Sequence, residues 1–211
     1  MIMMKKIFSL FLFLVLLSTS AKAQQIIYDS LDDLLEEKGD TVTTLRVEKR
    51  TKNLIYLYGG VDYRITVDEN HSMSRYLKMR CYAVRVDSTL YLNCKKIRYG
   101  RYRFGYWYAQ AFERGGRIFF SAQPLGQVAT SHTLPSNVNK LGGEIGDAIN
   151  ASGLVEERVY YELNVKTSKA EFVGLDYLKQ LFKEDAAVLK KLSEEKSEKA
   201  SVVRKYLELL K

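Results

Sequence analysis

Apolar and polar residues alternate through much of the stretch from residue 75 to residue 120, which predicts β-strands. Asp87-Ser88 and Gly115-Gly116 interrupt the alternation, and both pairs favour turns. Shorter alternating segments lie on either side, at 41–49, 54–58, 61–67, 157–165 and 170–173. The pattern therefore predicts an antiparallel sheet with residues 75–120 at its centre.

Helical spacing of apolar residues occurs mainly outside the predicted strands. Ser30 can cap a short leucine-rich helix, and residues 174–211 contain apolar stripes typical of two or three helices. Residues 139–152 indicate either a closely packed helix or a glycine-rich functional loop.

These patterns predict one α+β domain at 24–211 with a helical C-terminal segment at 174–211. Its antiparallel sheet has about six to nine strands, either open or curled into a partial barrel, with helices packed on one face or end.

Residues 1–23 have the pattern of a signal peptide. Lys5 and Lys6 precede the apolar run IFSLFLFLVLL, and Ala21-Lys22-Ala23 supplies small residues for cleavage. The apolar run is shorter than the roughly 20 residues that span a bilayer. We expect export to the periplasm or the exterior, with no transmembrane span after cleavage.

The positive charge is concentrated in the predicted sheet. The chain has 33 Lys and Arg residues against 25 Asp and Glu residues, a net charge of +8. Residues 45–117 alone contain 16 basic and 6 acidic residues, a net charge of +10. The positive charge therefore belongs to the sheet region and not to the chain at large.

The two cysteines could form a disulfide. A two-residue turn at Asp87-Ser88 brings Cys81 opposite Cys94, in a pair whose Cα atoms approach to about 4.5 Å. That separation lies at the short end of the disulfide range. Two buried apolar thiols explain the pattern equally well on geometry, and the expected export favours the Cys81–Cys94 disulfide.

Arginine alternates with aromatic residues over residues 97–108, IRYGRYRFGYWY. On one regular strand, Arg101, Arg103 and Trp107 point to the same side. Two guanidinium groups and one stacking ring suit an anionic glycan or lipid headgroup, whereas export makes nucleic acid the least favoured partner.

The opposite side of this strand would supply the core, through Tyr102, Phe104, Tyr106 and Tyr108. A bulge at Gly100 or Gly105 would reverse the assignment. Arginine stems can also cover aromatic rings only to build the sheet, and the pattern alone favours this structural interpretation over a ligand site.

No residue spacing in the sequence indicates catalysis, a metal or a cofactor. His71 and His132 lack companions at ligand spacing, and Asp62, Asp68 and Glu113 show no spacing typical of a carboxylate pair. The sequence favours a non-enzymatic binding protein. Alternatives are an envelope-modifying hydrolase and a scaffold that binds a protein partner through its C-terminal helices.

Four segments resemble an uncharacterised family of exported Bacteroidota proteins, a domain of unknown function. They are YDSLDDLL at 28–35, LYLNCKKIR at 90–98, FGYWYA at 104–109 and KYLELL at 205–210. The resemblance implies an envelope or secreted location, and it supplies no activity and no site residues.

Overall fold

A computed structural model describes residues 25–42, 44–131 and 157–211. In these ranges the strands are β1 (Gln25–Tyr28), β2 (Asp40–Val42), β3 (Leu45–Lys49), β4 (Tyr63–Val67), β5 (Ala83–Val86), β6 (Thr89–Asn93), β7 (Arg98–Tyr99), β8 (Tyr102–Arg103), β9 (Tyr108–Arg114), β10 (Arg117–Ala122), β11 (Val159–Asn164) and β12 (Lys169–Phe172). The helices are α1 (Leu31–Leu35), α2 (Lys52–Tyr58), α3 (His71–Met79), α4 (Gln127–Ser131), α5 (Leu175–Leu181), α6 (Ala186–Glu194) and α7 (Ala200–Leu207).

The strands form one open sheet in the order β2-β1-β5-β6-β9-β10-β11-β12-β7-β8. Only the β12–β7 pair is parallel in the part of the chain that the structure describes. The β3–β4 hairpin joins the sheet through Tyr63 and Tyr108. The predicted α+β class, with a mostly antiparallel sheet and C-terminal helices, is confirmed. The sheet has twelve strands because it includes three very short ones, β2, β7 and β8.

Side chains of the central strands alternate between two cores. Ala109, Ala111 and Phe120 pack in a front core, which α1 and the segment 97–104 help to enclose. Tyr108 and Phe119 point to the back, where Tyr108 packs with α3 and the β3–β4 hairpin. Phe119 packs with the C-terminal helices through Leu178, Leu192, Val203, Tyr206 and Leu207. These helices therefore dock on the sheet with their apolar stripes.

The β5–β6 hairpin has the predicted register. Val86 pairs with Thr89 and Arg85 with Leu90, across the two-residue turn at Asp87-Ser88. The positive φ of Asp87, 54°, suits such a turn.

The predicted disulfide is wrong, because Cys81 and Cys94 are free and buried. Tyr82 and Ala83 both pack in the front core, so the alternation of side chains breaks between them. This break turns Cys81 into the back core, whereas Cys94 packs in the front core. The two thiols thus lie on opposite faces of the sheet.

Helix α2 replaces the predicted strand at 54–58. The hydroxyl of Thr51 caps its first turn by accepting a hydrogen bond from the amide of Leu54 at 3.3 Å. Arg50 donates to the carbonyls of Gly59 and Val61 at 2.9 Å each and to that of Leu54 at 3.1 Å. These caps satisfy backbone groups that would otherwise need a neighbouring strand.

The predicted signal peptide at 1–23, the helix or loop at 139–152 and His132 lie outside the described residues. Among the helices that the structure describes, each is too short or too polar to cross a lipid bilayer.

Candidate functional site

The segment from Arg98 to Tyr108 is not one strand. β7 and β8 pair as a tight hairpin that turns at Gly100, where φ is 56°. The chain then bends at Gly105 and Trp107, with φ values of 89° and 80°, before β9 begins. Even spacing therefore does not place Arg101, Arg103 and Trp107 on one surface.

The three predicted ligand residues lie in two places. Arg101 and Arg103 are exposed on the β7–β8 hairpin, where the guanidinium of Arg101 donates to the hydroxyl of Tyr102 at 3.1 Å. Trp107 is half-buried and lines a different cleft.

The predicted core face of this segment is right for two residues and wrong for two. Phe104 and Tyr108 are buried, and the ring of Phe104 lies edge-on to Tyr161 at 4.9 Å between centroids. Tyr102, next to the turn of the β7–β8 hairpin, and Tyr106, between the bends at Gly105 and Trp107, are exposed.

The cleft around Trp107 combines cations with aromatic rings. It has a volume of about 500 Å³ and lies between α2, the β3–β4 hairpin, the end of α3 and the residues before β9. We call it the basic aromatic cleft and define it by Lys49, Arg50, Leu54, Tyr58, Arg64, Lys78, Tyr106 and Trp107.

Cations stand against the rings in this cleft. The ammonium of Lys78 lies 4.8 Å from the centroid of Tyr106 and 4.9 Å from that of Trp107. The guanidinium of Arg64 lies 5.5 Å from the Trp107 ring, and the ammonium of Lys95 lies 5.5 Å from Tyr106. All four distances fall in the cation–π range.

Buried polar side chains hold the end of α3 and thereby position Lys78. Asn93 donates to the carbonyl of Leu77 at 3.0 Å and to that of Cys81 at 2.8 Å. The hydroxyl of Tyr108 donates to the same Leu77 carbonyl at 2.7 Å. The bonds to Leu77 satisfy a carbonyl that the helix end leaves without an intrahelical partner, and the bond to Cys81 fixes the chain just after the helix.

Two glycines let the chain before β9 lie against the chain after α2. A Cβ atom on Gly60 would lie 2.4 Å from the carbonyl oxygen of Tyr106, and one on Gly105 would lie 3.0 Å from the Cα of Gly60. The amide N–H of Val61 donates to the carbonyl oxygen of Tyr106 at 3.1 Å, and the amide N–H of Cys94 donates to that of Trp107 at 2.9 Å. These two bonds hold Tyr106 and Trp107 at the cleft.

The backbone of Trp107 is unusual for a bulky residue. Its φ of 80° lies in a region that costs about 1–3 kcal/mol and that clusters at ligand-binding sites. The surrounding hydrogen bonds maintain this conformation, which presents the indole to the cleft.

The cleft has an excess of positive charge. Four cationic side chains line it, against the single carboxylate of Glu48, which pairs with Arg46 at 2.8 Å. Burial lowers the pKa of Arg50 below its usual value; the charge of Asp62 opposes this change, and the positive charge of Arg64 adds to it. Arg50 stays protonated at neutral pH, because arginine is not deprotonated in proteins.

A family model described as a family of unknown function, DUF6563, matches residues 26–211. The chain belongs to DUF6563. No curated protein and no solved structure matches it. Membership of DUF6563 confirms the uncharacterised family expected from the sequence, while export and an origin in Bacteroidota stay predictions.

The acidic residues considered for catalysis in this DUF6563 chain are each paired with a different arginine. Asp62 pairs with Arg158, Asp68 with Arg46 at 3.6 Å and Glu113 with Arg85 at 2.9 Å. His71 is exposed at the start of α3. The residues that the structure describes contain no group of three or more His, Cys, Asp or Glu side chains arranged for a metal.

Most residues of the basic aromatic cleft could not be identified from the sequence. Lys49, Arg64 and Lys78 come from three separate elements, and no motif links them. The indications in the sequence were Trp107 itself and the net charge of +10 over residues 45–117. Charge concentration located the region, but only the fold shows which cations meet Trp107.

Proposed function

We propose that the protein is a non-enzymatic binding protein whose basic aromatic cleft takes an anionic, ring-bearing ligand. The observation that carries this proposal is the position of Lys78 and Arg64 against the ring of Trp107, inside a cleft of about 500 Å³. Sites for small ligands have volumes of about 300–1,000 Å³ and combine apolar walls with a few polar groups.

Each side chain has a role that follows from its chemistry. Trp107 and Tyr106 offer flat faces on which a sugar ring stacks. Arg64 and Lys78 pair with a phosphate or carboxylate on that ring, and the guanidinium fork of Arg64 suits two oxygens at once. Arg50 is already bonded to three carbonyls, so it contributes charge and holds the wall.

Of the three ligand residues expected from the sequence, Trp107 lies in the proposed contact site, whereas Arg101 and Arg103 lie outside it. Their exposed guanidinium groups add to the positive field around the sheet, which raises the rate of encounter with an anion. The expected export to the periplasm or the exterior favours an anionic glycan or lipid headgroup as the partner.

Isothermal titration calorimetry of the purified protein tests the ligand class with four probes: glucose, inorganic phosphate, glucuronate and glucose 6-phosphate. We expect heat from glucuronate or glucose 6-phosphate, weaker binding of phosphate and none of glucose. Arg64→Gln should weaken the best probe about tenfold, equivalent to 1.4 kcal/mol.

Arg101→Gln is the matched control, because it removes an equal charge outside the cleft and should change affinity less than about twofold. Equal losses in the two variants, or no binding of any anionic sugar, would overturn the proposal. Release of a hydrolysed product during the titration would instead favour the envelope-modifying hydrolase.

A further inference from the structure

Helix α2 exposes nearly all of its apolar side chains. Of its seven residues only Ile55 is buried. Its exposed apolar residues are Leu54 at 43%, Tyr56 at 49%, Leu57 at 67% and Tyr58 at 73% of their surface. They are four of the nine large hydrophobic side chains that are exposed in the described residues. Such concentration on one short helix marks an interaction surface.

The helix is held in this exposed position by specific contacts. Thr51 caps its start, and Arg50 bonds the carbonyl groups of Leu54, Gly59 and Val61. The apolar side chains are therefore presented by an ordered element, and their exposure is a property of the fold.

The exposed apolar residues cover a broad arc of the helix, on the side away from the buried Ile55, instead of one narrow stripe. At 100° per residue, Leu54, Leu57 and Tyr58 fall within an arc of about 100°, and Tyr56 lies roughly 100° beyond Leu57, so that the four residues cover about 200°. A rigid protein groove contacts one stripe of a helix, whereas a fluid lipid leaflet contacts every side that protrudes into it.

The charges beside α2 complement an anionic surface. Lys49, Lys52 and Arg64 are exposed around the helix, and Lys78 lies across the cleft. The two acids nearest in sequence are both paired, Glu48 with Arg46 and Asp62 with Arg158. Tyrosines favour the headgroup level, leucines enter the acyl boundary, and each Lys or Arg near an anionic leaflet adds electrostatic attraction.

We propose that α2 inserts into the interface of an anionic lipid leaflet and that the basic aromatic cleft then takes a lipid headgroup. The second half rests on the proposed function, because it names the source of the cleft's anionic ligand. The insertion of α2 does not depend on it.

Vesicle sedimentation tests the insertion. The purified protein is mixed with vesicles of phosphatidylcholine alone or with phosphatidylglycerol added, at low and high salt. We expect binding only to the anionic vesicles and weaker binding at high salt. The double variant Tyr56→Ser/Leu57→Ser should lose about tenfold in vesicle affinity, since these side chains supply buried apolar area.

The control Leu35→Ser/Leu209→Ser removes two leucines of similar exposure elsewhere and should bind vesicles like the wild type. Circular dichroism checks that both double variants are folded. The proposed insertion would be overturned if the wild type did not bind anionic vesicles, or if the Tyr56/Leu57 variant bound them with the affinity of the wild type. A wild-type dimer that this variant converts to a monomer, without lipid binding, would assign α2 to a second copy of the chain.

Calorimetry with the best soluble probe separates the two proposals. Tyr56 and Leu57 do not line the cleft. The variant that replaces them should therefore bind the soluble probe like the wild type while its affinity for vesicles falls. Arg64→Gln should lose soluble binding and retain the apolar part of vesicle binding. If no soluble anion binds but the Tyr56/Leu57 variant still loses vesicles, the proposed ligand site fails and the membrane contact stands.

Discussion

Arg158 donates two hydrogen bonds to the carboxylate of Asp62, from Nε at 2.8 Å and from Nη2 at 2.5 Å. Their side chains are only 21% and 16% exposed. The pair joins the start of β11 to the chain before β4, where the carbonyl of Asp62 also accepts the amide of Arg50 at 2.7 Å. An acid that sequence reasoning considered for catalysis thus ties the wall of the cleft to the sheet.

Asp62→Asn should lower the free energy of unfolding by about 1–3 kcal/mol, because it removes the negative charge of Asp62 from beside a largely buried guanidinium. Urea denaturation measures the change. The matched control is Asp68→Asn, in an exposed pair with Arg46, which should cost less than about 1 kcal/mol. Equal losses would mean that the Asp62–Arg158 pair contributes no more than a surface ion pair.

Glu162 gives a prediction with an explicit pH dependence. Arg117 donates to both of its carboxylate oxygens, at 2.8 and 3.1 Å, yet burial, together with the negative charge of Glu171, raises the pKa of Glu162 above 4.5. The folded protein therefore holds this proton more tightly than the unfolded chain does. Stability is lost as the pH rises from the unfolded value through the folded one.

Glu162→Gln removes this loss, so the variant should gain stability relative to the wild type as the pH rises through that window. Urea denaturation of both proteins at about pH 4 and about pH 7 measures the difference. If the stability of the wild type instead rose relative to that of the variant between these pH values, the attraction of Glu162 to Arg117 would outweigh the effect of burial.

The cysteines should behave as two inert thiols. Burial raises the pKa of Cys81 to about 11 and also raises that of Cys94. Because the thiolate is the reactive form, folded protein should not react with a thiol reagent near pH 8. Unfolding without reductant should expose two thiols per chain, and reductant should leave Tm unchanged. A titration that finds no thiol would restore the disulfide.

Gly60→Ala should disturb the cleft more than Gly59→Ala. Both glycines have positive φ, 63° at Gly59 and 83° at Gly60, so both variants carry backbone strain of about 1–3 kcal/mol. Only at Gly60 would the added Cβ meet a backbone atom, the oxygen of Tyr106. Thermal unfolding should show the larger loss for Gly60→Ala, together with a shifted emission of Trp107. Identical behaviour of the two variants would contradict the close approach of the two segments.

The sequence predicted what depends on neighbouring residues and missed what depends on distant ones. The Asp87-Ser88 turn sets the β5–β6 register locally, and the prediction was right. The face toward which Cys81 points depends on Tyr82 packing in the front core. No local sequence pattern predicts that packing.

The same division explains the errors at the candidate site. The apolar, β-favouring residues 54–58 form a helix because Thr51 and Arg50 cap it. Trp107 was identified from its aromatic, basic surroundings, but its cationic partners Arg64 and Lys78 come from β4 and α3. Their meeting requires the close approach of Gly60 and Gly105.

The most direct test of the cleft uses its own fluorophore, because Trp107 is the only tryptophan in the chain. Its emission is followed while glucose 6-phosphate is added to the wild type, to Lys78→Gln and to Lys96→Gln. The ammonium of Lys78 lies 4.9 Å from the centroid of the indole ring, whereas Lys96 is an exposed lysine of equal charge that does not line the cleft. We predict a saturable change in emission, from which the affinity for glucose 6-phosphate is obtained. That affinity should fall about tenfold in Lys78→Gln and stay unchanged in Lys96→Gln. An emission that stays constant with added ligand, or that responds equally in all three proteins, would contradict binding at this cleft.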